Sequence, residues 1–91
     1  MSAAFKFSGA LKELRLHLCQ SSATSKGVRE FIEKYYVELK SNNPRFPILI
    51  RECSGVEPKL WARFEHGKEK AILLKDLSSS DVLSQVKSVA S

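Results

Sequence analysis

Apolar and polar side chains alternate through Leu14, Leu16 and Leu18, the pattern of a strand with one face in a core, and then the spacing changes. Beyond the polar stretch from Gln20 to Lys26, Val28, Phe31, Ile32, Tyr35 and Leu39 recur at i, i+3, i+4, i+7 and i+11, which predicts a helix. Thr24 or Ser25 is placed to cap its start near Lys26, and Glu30 and Lys34 form a favourably ordered i,i+4 pair. Lys40 suits the negative end of the helix dipole, and Asn42-Asn43-Pro44 stops the helix. Tyr36 lies beside the main stripe, where it either completes the core or meets a partner.

Pro47 opens a second strand, and Ile48-Leu49-Ile50 reads as covered on both faces, as inner strands of a parallel unit are. The connection from Cys19 to Pro47 is long enough for a crossover that contains the helix. After the loop Ser54-Gly55-Val56-Glu57-Pro58, alternation resumes, with Leu60, Ala62 and Phe64 on one side and Trp61 and Arg63 on the other. His66-Gly67-Lys68 then turns the chain into a return strand, Glu69 to Leu74. Ser78 reads as the N-cap of a last helix, with Leu77 and Val82 as a hydrophobic staple and Asp81 as a short capping-box acid. Its stripe of Val82, Leu83, Val86, Val89 and Ala90 must pack on the sheet, because an isolated helix of this length is marginal in water. The order β-α-β-β-β-α describes an α/β domain whose four-stranded mixed sheet is flanked by helices.

A chain of 91 residues makes one small domain. Residues 1–12 carry Lys6 and Lys12 with no acid before Glu13, and read as a flexible basic arm ahead of a domain over residues 13–91. The arm has a mild organelle-targeting flavour, without arginine. No apolar run approaches the roughly 20 residues of a transmembrane helix. The formal charge of +5 favours an acidic partner, whether nucleic acid, anionic membrane or protein, without choosing among them.

Both parallel strands end in a cysteine, Cys19 and Cys53. Neighbouring strands lie about 4.8 Å apart and a disulfide spans Cα separations of about 4.4 to 6.8 Å, so in the right register this pair could be bridged. Two buried free thiols, or an exposed reactive Cys19, are the other readings. With only His17 and His66 to join them, the cysteines match no zinc-ligand spacing, and no metal or other cofactor is expected. Pro58 could sit cis in a tight turn. His17 shares the sheet face of Arg15, opposite Leu16 and Leu18; as a base for Cys19 it would be about 6.6 Å away along the strand, so an interface role suits it better. Arg15, Arg51, Trp61 and Arg63 are the leading interface candidates by residue type and strand parity. Against a nucleic-acid surface, Glu30, Glu33, Glu38, Glu52 and Glu57 are mixed among the basic residues.

The element order resembles a minimal thioredoxin-like fold, with Cys19 near the first active-site thiol and Pro58 at the place of the cis-proline. Where thioredoxins carry Cys-x-x-Cys, however, this chain has Cys19-Gln20-Ser21-Ser22, which argues against a dithiol oxidoreductase and leaves no catalytic residue to name. A more specific resemblance rests on Leu16-His17-Leu18-Cys19-Gln20, Gly27-Val28-Arg29 with Phe31-Ile32-Glu33-Lys34, Tyr36-Val37-Glu38-Leu39-Lys40, Pro47-Ile48-Leu49-Ile50-Arg51-Glu52-Cys53 and Pro58-Lys59-Leu60-Trp61-Ala62-Arg63. These runs are similar to those of the alpha subcomplex subunit 2 family, the small thioredoxin-like accessory subunits of mitochondrial NADH:ubiquinone oxidoreductase, complex I. The resemblance implies a non-catalytic structural or assembly subunit in the peripheral arm, on the matrix side of the inner membrane, whose partners are other complex I subunits. It leaves two alternatives, a thiol-redox sensor or weak thiol oxidoreductase, and a mitochondrial ribosomal protein that binds RNA.

Overall fold

Strand β1 (Leu11–Leu18) forms where the leucine alternation predicts it, with Leu11, Leu14, Leu16 and Leu18 all buried on one face. The computed structural model describes residues 6, 7 and 9–90; half of the expected flexible arm, residues 1–5 and 8, lies outside the described residues. Strand β1 begins at Leu11, two residues before the expected start of the domain at residue 13. Phe7 also stacks on Phe46 with ring centroids 4.4 Å apart.

The helical periodicity produces one continuous helix, α1 (residues 26–42), whose middle turn, Ile32–Tyr36, is π-helical. Val28, Phe31 and Leu39 are buried, while Ile32, Tyr35 and Tyr36 pack at the edge of the core. At its end, Asn43 Nδ2 donates to Leu39 O at 2.9 Å, and Asn43 Oδ1 accepts the Phe7 N–H at 2.8 Å. One buried amide thus satisfies a carbonyl left over by the helix and holds the segment before β1.

Strands β2 (Ile48–Glu52), β3 (Lys59–Phe64) and β4 (Glu69–Leu73) complete a sheet in the order β2-β1-β3-β4, with β2 parallel to β1 and the other pairs antiparallel. The turn between β3 and β4 places His66 at φ 63° and Gly67 at φ 73°, a left-handed pair that costs Gly67 little. Helix α2 (Ser79–Ala90) starts as its sequence predicts: Ser78 Oγ accepts the Asp81 N–H at 3.1 Å, and Val82 is fully buried. The mixed four-stranded α/β architecture and the order β-α-β-β-β-α meet the expectation.

Both helices contribute to a single core built on the face of Leu14, Leu16, Ile48, Leu60 and Ala62. That arrangement corrects the reading of β2 as an inner strand covered on both faces. β2 is an edge strand, and Leu49 alternates onto the face that no helix covers, where it is half-buried. A run of three apolar residues suits an edge strand with one wet face as well as an inner strand, so periodicity alone does not separate them. Pro58 is also corrected: among the described residues no peptide bond is cis. The trans form is the default by about 0.5–1 kcal/mol. Here the buried Pro58 leads straight into β3 and its carbonyl accepts the Leu74 N–H at 2.9 Å.

Candidate interaction face and thiol loop

Strand parity and register together decide which side chains share the uncovered face. Reading across β2, β1, β3 and β4, one row holds Leu49, Arg15, Trp61 and Ala71, and the next toward the carboxyl end of β1 holds Arg51, His17, Lys59 and Leu73. A third row, on the other side, holds Glu13, Arg63 and Glu69. All five interface candidates, Arg15, His17, Arg51, Trp61 and Arg63, are therefore brought onto one sheet face. Lys59, Leu49, Ala71 and Leu73 join them; Leu73 is 51% exposed.

Arg15 is the anchor at the centre of this face. Its Nη2 donates to Glu69 Oε1 at 3.2 Å, its Nε lies 3.7 Å from Glu13 Oε2, and its guanidinium carbon sits 5.9 Å from the Trp61 ring centroid. The cation is held over the indole by two carboxylates, which fixes the ring as a half-exposed platform. His17 lies one row along from Arg15, with its ring centroid 6.3 Å from that of Trp61. Its pKa is lowered from 6.5, first by partial burial and then by the charges of Arg15, Arg51 and Lys59. Burial, with a local excess of positive charge behind it, thus disfavours the imidazolium form.

The cysteines lie at the same end of the sheet, just past the strands. The parallel register runs through Leu18 and Glu52, and the Cys53 N–H donates to Leu18 O at 3.0 Å, so Cys19 and Cys53 come next in line. Both are free thiols, Cys19 buried and Cys53 exposed; the candidate disulfide is not formed. The loop instead surrounds the buried Cys19 thiol with hydrogen-bond partners. Cys19 Sγ is engaged by the Gly55 N–H at 3.4 Å and lies 3.8 Å from Ser21 Oγ. Backbone N–H groups of Ser21, Gly55 and Ser22, in that order, lower the Cys19 pKa to about 7 against a smaller opposing effect of burial. Donors aimed at the sulfur favour its thiolate.

The loop backbone is fixed by residues that periodicity passes over. Arg29 Nη1 donates to Cys19 O at 2.9 Å and to Ser22 O at 2.7 Å. Ser25 occupies the N-cap position, yet its fully buried Oγ accepts the Cys19 N–H at 3.0 Å instead of capping α1. Neither His17 nor His66 hydrogen-bonds to a cysteine among the contacts found for the described residues. A cleft of about 660 Å³ opens at the far end of the sheet between Lys12, Glu13, Arg63, Glu65 and His66. It is shallow, and two of its charges neutralise each other in the Lys12–Glu65 pair at 3.5 Å.

Residues 28–79 match the family model described as "Mitochondrial ribosomal protein L51 / S25 / CI-B8 domain". The chain is 54% identical over 81 residues to "NADH dehydrogenase [ubiquinone] 1 alpha subcomplex subunit 2" of Mus musculus, covering 89% of this chain and 82% of that one. The chain belongs to this family. The Arabidopsis thaliana protein of the same name is 53% identical over 76 residues, 84% of this chain and 78% of its own. The "NADH-ubiquinone oxidoreductase 10.5 kDa subunit" of Neurospora crassa is 44% identical over 89 residues, 98% of this chain and 95% of its own. The segment matching the L51 / S25 / CI-B8 domain runs from α1 to the start of α2 and so contains Arg51, Cys53, Trp61 and Arg63; Arg15, His17 and Cys19 precede it.

Proposed function

We propose that this chain is a non-catalytic accessory subunit of mitochondrial complex I, that it sits on the matrix side in the peripheral arm, and that it docks there through its uncovered sheet face. Family membership supplies the complex, and one structural observation carries the docking mode: Arg15, His17, Arg51, Trp61 and Arg63 share one face that neither helix covers. Arg and Trp are the residue types most often found to dominate binding energy, and Trp61 is held ready by Arg15 rather than free to collapse. The described residues include no helix long and apolar enough to cross a membrane, which agrees with a peripheral position. The test is native gel comigration of Trp61→Ala and Arg63→Ala variants with the respiratory complex. Each should be depleted from the complex while the isolated chain keeps its fold; normal incorporation of both would refute the docking mode.

A second reading concerns the thiols, and the register carries it. Cys19 and Cys53 lie side by side at the ends of two paired strands, and the Cys19 thiolate is favoured near neutral pH. Under an oxidant a modest rearrangement of the loop 53–55 would allow a reversible bridge, worth about 2–4 kcal/mol to the free subunit. Mass-resolved thiol labelling of the free and complex-bound pools decides it: two labelled thiols in both pools assign the cysteines to packing, and a reducible, unlabelled pair in either assigns a redox role.

A further inference from the structure

The charges on the uncovered face are unevenly placed. Its two carboxylates, Glu13 and Glu69, stand in the row of Arg63, and both are drawn to Arg15. The row of Arg51, His17 and Lys59 contains no carboxylate at all, and it ends at the exposed Leu73. Two rows along a strand separate Glu13 from His17 by about 13 Å, beyond a Debye length at physiological salt, so these acids leave the cationic row uncompensated. Next to it lies an apolar strip of Trp61, Ala71 and Leu73.

We propose that the partner surface seated on this face is a protein segment that presents a carboxylate to the Arg51–His17–Lys59 row and an apolar side chain to Trp61, Ala71 and Leu73. The inference rests on the docking mode proposed above and specifies the chemistry of the partner. Arg51 and Lys59 flank His17 across three adjacent strands, so one or two acidic side chains can reach all three groups. A second copy of this chain is disfavoured, since this face carries four cations, Arg15, Arg51, Lys59 and Arg63, against two carboxylates, Glu13 and Glu69, and two such faces would bring net like charge together. A single-stranded nucleic acid fits less well: Trp61 is the one aromatic platform in the rows, and Glu13 and Glu69 would face the phosphates.

The charged groups around His17 also give the docked state a signature. Partial burial and then the charges of Arg15, Arg51 and Lys59 disfavour its protonation in the free chain, with Glu13, Arg63 and Glu69 one or two rows further along the strands and no ionisable group facing it from β4's Leu73. A partner carboxylate would reverse that balance, so docking takes up a proton and tightens as pH falls from 8 toward 6. His17→Gln should abolish this slope, whatever its effect on the overall level of retention.

The experiment uses intact complex I with the chain in place. A zero-length carbodiimide, which joins an amine to a touching carboxylate, should link Lys59 to an Asp or Glu of another subunit. In parallel, the Arg51→Ala, Lys59→Ala double variant should be retained in the complex at least fivefold less than wild type at 0.15 M salt. A Lys26→Ala, Lys34→Ala control should be retained normally, and Arg51→Lys with Lys59→Arg should restore retention. If the chain comigrates, the double variant is retained as well as wild type and retention has no pH slope, the proposed chemistry is overturned although membership of the complex stands. If wild type fails to comigrate, or instead sediments with mitochondrial ribosomes, the underlying docking mode fails with it.

Discussion

Replacing Gly27 by alanine sets two effects of opposite sign against each other. Gly27 lies in the first turn of α1, where alanine's higher helix propensity would contribute up to about 1 kcal/mol of stability. A Cβ at this position, however, would stand 1.6 Å from Leu77 O, 2.8 Å from Leu77 C and 3.2 Å from Ser78 C. Ordinary contact begins at 3.4 Å, so helix and loop must separate by about 1.8 Å, and every obstructing atom is backbone. The loop cannot simply swing away, because the Asp76 N–H donates to Thr24 O at 3.2 Å and Ser78 caps α2. Moving it would also part Val28 and Phe31 from the α2 side chains Val82, Leu83 and Val86, all buried in the same core.

Overpacking against side chains that can relax costs about 1–3 kcal/mol, and a backbone obstruction should exceed that range. Gly27→Ala is therefore expected to lose about 3–5 kcal/mol net, a large part of the roughly 5–14 kcal/mol available to a domain of this size. At about 4–8 °C per kcal/mol the melting temperature should fall by at least about 12 °C. Urea titration followed by far-ultraviolet circular dichroism measures the loss directly. A midpoint equal to or above that of wild type would mean that helix propensity wins, and would refute the close approach of α1 to the loop before α2.

Arg29→Met keeps much of the side chain's volume but leaves the Cys19 and Ser22 carbonyls without their shared donor; it should cost about 1–3 kcal/mol in urea titrations and accelerate alkylation of Cys19. Asn43→Ala removes the bonds to Leu39 O and Phe7 N and should lower stability by a similar 1–3 kcal/mol, about what losing a buried polar partner costs, read from the same titration. The Cys19 pKa is depressed in the folded chain, so its contribution to stability is fully present above the ordinary thiol value of 9.0 and is lost as pH falls through about 7. Accordingly, the stability advantage of wild type over Cys19→Ala should grow from pH 6 to pH 9, and alkylation of Cys19 should show a midpoint near 7; a midpoint at the ordinary thiol value of 9.0 would refute the role of the loop N–H groups.

What the sequence could reveal follows from what each signal physically encodes. Alternation has a period of two, so Arg15 and His17, or Trp61 and Arg63, can be assigned to a common face before any strand is paired. Capping at Ser78 is a contact between neighbours in the chain, and it formed as expected. Register and strand order are different, because they depend on residues far apart in sequence. The three rows of the open face, and with them the partnership of Lys59 with Arg51 and His17, exist only once β1 lies between β2 and β3. The same gap explains the errors: Ile48-Leu49-Ile50 records how apolar β2 is, and only topology places it at an edge. Ser25 shows the limit most sharply, since a serine at a helix start is ordinarily a cap, and nothing local reveals that its hydroxyl is taken by the Cys19 N–H. Nor does spacing reveal Arg29, whose guanidinium leaves the polar side of α1 to hold two carbonyls of the thiol loop. Both contacts spend side-chain hydrogen-bonding capacity on a loop that has no ladder of its own, and so the geometry that lowers the Cys19 pKa is built by residues outside the cysteine's own motif.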